Sequence, residues 1–335
     1  GGIAVSFREG LKNVRLEHNI LWSLQPEQDI ISMENRGDKD SILIQHNHIT
    51  GGKTGVNIDF WVEMKNLLIL NNRFENQSDN GIYFNEGYEF NHIVVSNNYF
   101  TSGSPIQAIY LEGIDSTIDI HKNKIELLSG GQGIYIDFSV SPGPIGNISN
   151  NFIHIHTAEA IDAIYNESDS LSLYYNTVYI TGDNEGSNCF TRNYGVLSSR
   201  NNNLVNLASG KAYRLNYSTS NSESDYNNLY SNGPVLSSDY DDRSTLAEHQ
   251  VYNQADSNSI SVPVPVFSSD SSLYSESPYL DGSGVPIAGY TADIDSEIRD
   301  AEHPDIGADE FILTVLPLSG EYILGSGGHF SSFAD

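Results

Sequence analysis

In five short stretches apolar residues alternate with two polar positions whose side chains could bind a ligand or catalyse a reaction. The first position is a tyrosine or asparagine, and the second, two residues later, is a carboxylate or, once, an asparagine. The stretches read GVNIDF (55–60), GIYFNE (81–86), AIYLEG (108–113), GIYIDF (133–138) and AIYNES (163–168). The second residue after the glycine or alanine is Asn57, Tyr83, Tyr110, Tyr135 or Tyr165, and the fourth is Asp59, Asn85, Glu112, Asp137 or Glu167. If these stretches are strands stacked in register, one face carries a file of aromatic rings beside a file of acids.

Those two files are typical of a surface that binds saccharides. Aromatic rings pack against the faces of sugars, and carboxylates hydrogen-bond sugar hydroxyls or hold Ca²⁺ through oxygen ligands. The candidate ligand-binding residues are Tyr83, Tyr110, Tyr135, Tyr165, Asp59, Glu112, Asp137 and Glu167. The alternative is that tyrosine is a good exposed strand former and that the polar residues keep the surface soluble.

A pair of carboxylates could also cleave a glycosidic bond, for which the two groups stand about 5 to 9.5 Å apart. Neighbouring strands would place Glu112 and Asp137 near the lower end of that range, so these two are the catalytic candidates. A polysaccharide lyase would instead need a basic residue, and no lysine or arginine recurs within the acidic file. The pattern favours a non-enzymatic module, with a polysaccharide lyase or glycoside hydrolase as the alternative.

A second, more regular repeat predicts the elements that position these files. Its template is apolar-x-apolar-x-x-Asn-x-apolar, and its asparagines are Asn19, Asn47, Asn72, Asn98, Asn123, Asn151 and Asn176. They are 28, 25, 26, 25, 28 and 25 residues apart, and degraded copies follow at Asn203 and Asn228. Apolar alternation with period two indicates strands, and such short steps leave no room for a crossover helix beside a second strand.

Each repeat is therefore predicted to be one coil of an all-β, right-handed parallel β-helix, with about nine coils over residues 1–230. Equivalent residues of successive coils lie one above another, so the asparagines are expected to form a structural ladder where a strand bends. An irregular closing segment is predicted for residues 231–312, with a short helix near 244–260 capped by Ser244 or Thr245. Residues 313–335 are predicted to be a linker and the start of a following module.

The composition argues against several classes of partner. The chain has 44 acidic and 16 basic side chains, for a net charge of −28, which disfavours nucleic acid and anionic membrane surfaces. No apolar run approaches the roughly 18 residues of a membrane span, so membrane insertion is not expected. Its one cysteine cannot form a disulfide within the chain.

Three segments of the last third carry a resemblance to a known family. TLAEHQ (245–250), SPYLDGSG (277–284) and DIDSEIRDAEHPDIGADEF (293–311) resemble the end of secreted, pectate-lyase-like right-handed β-helix proteins, common in Bacteroidota. His249 departs from that pattern, which usually has an aromatic residue there, and Ser296-Glu297 replaces a glycine-containing turn. The resemblance implies an extracellular protein attached to the cell surface or in contact with glycans, and it implies no single activity.

The acids of the last of these segments are candidate Ca²⁺ ligands, Asp293, Asp295 and Asp309 among them. Their spacing does not match an EF-hand loop, so caps and turns are the favoured alternative. No other cofactor is expected. Both ends of the sequence read as cuts within a tandem array, which makes neighbouring modules of the same chain or filament expected partners, beside a polysaccharide.

Overall fold

The structure, a computed structural model, describes residues 5–7, 10–33, 38–58, 64–84, 90–114, 117–137, 145–216, 223–263 and 277–313. Over this part of the chain each coil passes through the same three sheets, here named A, B and C, and equivalent strands of successive coils pair in parallel. The predicted parallel β-helix is therefore confirmed.

Sheet A contains the tyrosine motifs. Its strands are Val5–Phe7, Ile31–Met33, Thr54–Ile58, Asn80–Phe84, Ile106–Glu112, Gly131–Asp137, Asp162–Asn166, Asn188–Arg192, Lys211–Leu215, Ser237–Asp239 and Asp241–Arg243. The last of these folds back antiparallel on Ser237–Asp239, whereas the other neighbours are parallel. The parallel pairing of strands in sheet A therefore ends at that hairpin.

Sheets B and C lie on either side of the repeated asparagine. Sheet B consists of Leu11–Glu17, Lys39–Gln45, Met64–Leu70, Phe90–Ser96, Thr117–His121, Ile145–Ser149, Ser170–Tyr174, Val196–Arg200 and Glu223–Asp225. Sheet C consists of Ile20–Ser23, His48–Gly51, Arg73–Glu75, Tyr99–Ser102, Lys124–Leu127, Phe152–Thr157, Thr177–Gly182, Asn203–Asn206 and Asn228–Ser231. Among the described residues each of these sheets has nine strands, which are eight steps from coil to coil.

The core is a column of apolar side chains enclosed by the three sheets. Alternate residues of each strand point inward, and the inward residues of three tyrosine motifs are fully buried: Ile82, Phe84, Ile109, Leu111, Ile134 and Ile136. The glycine that opens two of these three motifs has a packing reason. A Cβ on Gly81 would lie 2.6 Å from the carbonyl oxygen of Ala108 and 2.7 Å from the Phe100 ring. That aromatic ring in turn stacks on Phe74 of the preceding coil, with centroids 4.7 Å apart.

The repeated asparagines form a continuous hydrogen-bonded ladder at the corner between sheets B and C. In each step the side-chain Nδ2 and the main-chain N–H of one asparagine donate to Oδ1 of the next, at 2.9–3.1 Å. Nδ2 also donates to a carbonyl of the preceding coil, as from Asn98 to Ile69 at 2.8 Å. The members are Asn19, Asn47, Asn72, Asn98, Asn123, Asn151, Asn176, Asn202 and Asn227.

The last two members of the ladder differ from the sequence prediction by one residue. The prediction was Asn203 and Asn228, but these residues begin the next strands of sheet C, where Nδ2 of Asn228 donates to Oδ1 of Asn203 at 2.9 Å. The last two members of the ladder are instead Asn202 and Asn227. The cause is a pair of adjacent asparagines in each coil, of which only the first lies two residues before the buried leucine, Leu204 in the earlier coil.

The ladder coincides with a recurring backbone turn. The residue before each ladder asparagine has a φ of 53–57°, in the left-handed region, and none of these residues is glycine: His18, His46, Asn71, Asn97, Lys122, Asn150, Tyr175, Asn201 and Tyr226. That conformation costs about 1 kcal/mol or more for a residue with a Cβ. The buried amide hydrogen bonds at the same corner offset this cost, because they are made only when the chain turns there.

The predicted short helix is present as Leu246–Asn253, and it packs on the C-terminal end of the coils. Thr245 is its N-cap and forms a capping box with Glu248. The chain of the closing segment then returns along the outside of the β-helix, and residues 277–313, here named the docked stretch, contain no strand or helix. Of the predicted linker and following module at 313–335, residues 314–335 lie outside the described residues.

The docked stretch packs on the same corner that holds the asparagine ladder. The main-chain N–H of Val285 donates to Oδ1 of Asn201 at 3.0 Å, and Tyr175 donates its hydroxyl to the Val285 carbonyl. Arg299 is nearly buried, lies over the Tyr175 ring at 4.0 Å and donates to Oδ1 of Asn150 at 2.9 Å. The left-handed turn residues of successive coils thus serve as the attachment points of this stretch.

None of the helices in the described part of the chain has the length and apolar content needed to span a membrane.

Replacing Asn98 by alanine tests the ladder. Its Oδ1 accepts two hydrogen bonds from Asn72, and its Nδ2 donates to Ile69 and Asn123. We expect the free energy of unfolding to fall by about 3 kcal/mol, because several buried donors and acceptors lose their partners at once. Urea denaturation followed by circular dichroism measures this change.

The matched control is Asn232→Ala, which removes an exposed asparagine near the last coil. It should change the unfolding free energy by less than about 0.5 kcal/mol. If the two variants lose the same small amount of stability, the ladder does not stabilise the coils.

Candidate functional site

The outward surface of sheet A carries an unbroken stack of tyrosine rings. Tyr83, Tyr110, Tyr135 and Tyr165 occupy equivalent positions in four successive strands. Their ring centroids are 5.1, 4.6 and 4.4 Å apart along the stack, and the planes differ by 24°, 3° and 7°. The coil spacing is close to a favourable stacking distance, so strand pairing and ring stacking support each other.

This stacking changes what the tyrosines can offer to a ligand. Tyr110 and Tyr135 each lie between two other rings, so both of their faces are covered. They present ring edges and hydroxyl groups to the outside, not the open ring faces that the sequence pattern led us to expect. Beyond Tyr83 the file continues with Asn57, which has no ring. A groove of about 460 Å³ lies at this end of the stack.

Three of the four tyrosine hydroxyls in the stack are paired with the acid two residues later. Tyr110 donates to Glu112 at 3.3 Å, Tyr135 donates to Asp137 at 3.4 Å, and Tyr165 donates to Glu167. Burial, together with these negative charges, raises the pKa of Tyr135 to about 12. The hydroxyls therefore remain neutral hydrogen-bond donors at physiological pH. We name this surface, with its four tyrosines and three acids, the tyrosine face.

Two of the three acids on the tyrosine face contact each other. Burial, followed by the hydrogen bond and charge of Glu167, raises the pKa of Asp137 above its usual range. Burial alone would raise the pKa of Glu167 too, but hydrogen bonds from Tyr165, Asn193 and Asp137 lower it. When the pair holds a proton, that proton therefore resides on Asp137, while Glu167 stays ionised.

That contact bears on the catalytic candidates. Glu112 and Asp137 are direct neighbours in the pairing of their strands, as expected from the sequence. The carboxyl that interacts most strongly with Asp137 is nevertheless that of Glu167 and not that of Glu112. Asp137 is thus committed to Tyr135 and Glu167. Of the other candidates, Asp59 lies outside the described residues.

The Ca²⁺ candidates Asp293, Asp295 and Asp309 lie in the docked stretch. Asp293 is fully buried, with Oδ1 accepting from the N–H groups of Asp295 and Glu297 and Oδ2 accepting from that of Glu310. Asp295 pairs with Lys124 of sheet C at 3.0 Å. Across the described ranges no three His, Cys, Asp or Glu side chains are arranged to hold a metal ion. Asp293 thus caps a turn of the stretch, and Asp295 attaches the stretch to the coils.

A serine, a histidine and an aspartate meet under the terminal helix, which sequence reasoning did not anticipate. His249 lies 2.8 Å from Oγ of Ser237 through Nδ1 and 3.0 Å from Oδ2 of Asp256 through Nε2. All three are almost fully buried, and the adjoining cavity is only about 60 Å³. The three side chains therefore join the helix to the last coil. The only sequence signal was the histidine in place of the usual aromatic residue.

Burial alone would raise the pKa of Asp256, but hydrogen bonds from His249, Ser259 and Asn227 hold that pKa below its usual range. The carboxylate therefore stays ionised at neutral pH. It receives donors both from the closing helix region and from the last member of the asparagine ladder. The ladder and the helical cap are thus one connected hydrogen-bonded system.

No family model matches the chain, and neither does any curated protein or any solved structure.

The docked stretch should attach more weakly as the pH rises. Burial raises the pKa of Asp305 to about 7, even though backbone N–H groups of Phe311 and Gly282 donate to it. Burial and the adjacent Asp293 raise the pKa of Asp309 as well. Because the folded state raises these pKa values, the protonated carboxyls stabilise the docked stretch. This contribution is complete below about pH 4, the pKa of a free aspartate, and is lost as the pH rises through about 7, the pKa of Asp305 in the fold.

Hydrogen exchange of residues 277–313, compared at about pH 5 and about pH 8 after correction for intrinsic rates, measures this loss of protection. The variant Asp309→Asn keeps the shape without the charge and should show a smaller pH effect. Protection that is equal or greater at the higher pH in the unmodified chain would contradict the assignment.

Proposed function

We propose that this chain is a non-enzymatic, extracellular β-helix module of a larger cell-surface repeat protein, acting as an adhesin, stalk or filament, and that its tyrosine face contacts glycans. One observation carries the glycan contact: four stacked tyrosines with three carboxyl groups beside them on a single outward surface. The face repeats the same pair of groups coil after coil.

The chemistry of this face suits a chain of sugars. Neutral hydroxyls and carboxyl oxygens alternate as donors and acceptors, and they recur at the strand spacing of about 4.8 Å. Ring edges between them add apolar area without exposing a large hydrophobic patch. A linear, repetitive ligand can use several of these sites at once, so weak contacts add up along the face.

The proposed extracellular location and modular organisation are supported by features of the sequence. The closing segment resembles that of secreted, surface-attached β-helix proteins, and a net charge of −28 keeps a long rod soluble. A stack of coils attached end to end to similar stacks gives length, which suits a stalk or filament. Neighbouring modules of the same chain or filament are the proposed protein partners, and nucleic acid and membrane insertion are not part of the proposal.

A polysaccharide lyase or glycoside hydrolase is the second candidate. It is favoured by the raised pKa of Asp137 next to an ionised carboxylate, since such a difference is common in acid–base catalysis. Binding is preferred because these acids are engaged with each other and with the tyrosine hydroxyls, instead of facing a reacting bond.

Removing one ring from the stack should weaken glycan retention. We expect Tyr110→Ala and Tyr135→Ala each to lower retention on immobilised neutral polysaccharides by at least about fivefold, because a ring edge, a hydroxyl and the packing of both neighbours are lost. Affinity electrophoresis in gels containing xylan, mannan or starch measures this. Tyr179→Ala, on the outward side of sheet C, is the matched control and should retain wild-type mobility shifts.

Retention that is unchanged in both tyrosine variants would count against glycan contact through the tyrosine face, as would equal losses in the control.

A non-enzymatic module should release no products. We expect neither new reducing ends nor the ultraviolet absorbance of unsaturated sugars when the protein is incubated with the same polysaccharides and with polygalacturonate. Asp137→Asn and Glu112→Gln should match the unmodified protein. Depolymerisation that either substitution abolishes, with the fold intact by circular dichroism, would establish the enzymatic alternative instead.

A further inference from the structure

The groove at the Tyr83 end of the stack is built from a second polar file on sheet A. Thr54, Asn80, Gln107 and Gln132 occupy equivalent positions in successive strands, three residues before the tyrosine file. Thr54 and Asn80 are buried and form the inner lining of the groove, while Tyr83 and Tyr110 line it from the stack. Its volume of about 460 Å³ is within the ordinary range for small-ligand sites.

Two amide oxygens at the groove have unused acceptor capacity. Nδ2 of Asn57 donates to Oδ2 of Asp29 at 2.7 Å, which distinguishes the nitrogen of that amide from its oxygen. Its Oδ1 is buried and accepts no hydrogen bond from the described residues, and the same holds for Oδ1 of Asn80, a side chain that is 4% exposed. Buried acceptors of this kind are rare in folded proteins. Since rotation of an asparagine amide about its last torsion is soft, a hydroxyl group in the groove can reach either oxygen.

The charges around the groove favour a neutral ligand. Lys53 lies at the groove with its ammonium 3.8 Å from Oδ2 of Asp79, so its charge is largely balanced locally. The acids of the tyrosine face follow in the next coils, and the whole chain carries a net charge of −28. An anionic sugar would meet this field unfavourably, whereas a neutral sugar would not.

We propose that this groove is a subsite for one neutral, hydroxyl-rich sugar unit, held by hydroxyl donation to Asn57 and Asn80 and by Gln107 and the tyrosine edges. This subsite rests on the proposed glycan contact, and it would mark the point on the tyrosine face at which the bound glycan begins. A glycan chain would enter here and continue along the tyrosine face, so the groove would set both the position and the class of sugar.

The test uses isothermal titration calorimetry on the full chain with neutral hexasaccharides of glucose, xylose and mannose, and with hexagalacturonate as the anionic probe. At least one neutral probe should bind, and hexagalacturonate should bind at least about tenfold more weakly. Asn80→Leu, which removes the acceptor at similar volume, should weaken the neutral probe about tenfold. Gln107→Ala should weaken it in the same direction, and it decides the question if Asn80→Leu does not fold.

Asn188→Leu is the matched control, because Asn188 belongs to the same file, also has a buried oxygen without a partner among the described residues, and lies outside the groove. It should leave the affinity within about twofold. Wild-type affinity in the groove variants together with weaker binding by Tyr135→Ala would overturn the subsite and leave the proposed function standing. If hexagalacturonate binds more tightly than the neutral hexasaccharides, the proposal that the groove takes a neutral sugar is wrong. An unmodified protein that binds none of the probes would remove the proposed function and the subsite together.

Discussion

The structure depends on one interaction, the buried hydrogen bond that passes from each ladder asparagine to the next. Strand pairing alone would allow a coil to slip along its neighbour, but each carboxamide must meet the next amide and a carbonyl of the preceding coil at the same time. A slip would leave several buried polar groups without partners. The ladder therefore fixes the register of every coil and the left-handed turn beside it.

A fixed register determines everything on the outside of the rod. It stacks the tyrosines at 4.4–5.1 Å, and it also brings Asp137 and Glu167 into contact, where two negative charges would repel each other. That repulsion adds to burial in raising the pKa of Asp137 on sheet A. At the opposite corner the same register lines up Asn150, Tyr175 and Asn201 so that one irregular stretch can bind all three. The surface chemistry is thus a consequence of the core geometry.

The sequence predicted the features that depend on period, because stacking repeats every structural need in every coil. The strands, the inward residues such as Ile134, and the placement of Tyr135 above Tyr110 all follow from that rule. It could not show that the rings would cover one another's faces, since that depends on side-chain torsions. Adjacent asparagines such as Asn202 and Asn203 satisfied the template almost equally well, so only the burial of the following leucine separates them.

Non-repeating contacts were beyond the reach of the pattern. The buried group around His249 joins residues from a hairpin, a helix and a loop. The groove forms where the second polar file of sheet A passes the Tyr83 end of the tyrosine stack. A crystal structure of the chain with a bound neutral hexasaccharide tests the account most directly. We predict density for a sugar ring in the groove beside Tyr83 and Asn80, with further units along the tyrosine face. A sugar bound on sheet B or C, with the tyrosine face empty at saturating ligand, would contradict it.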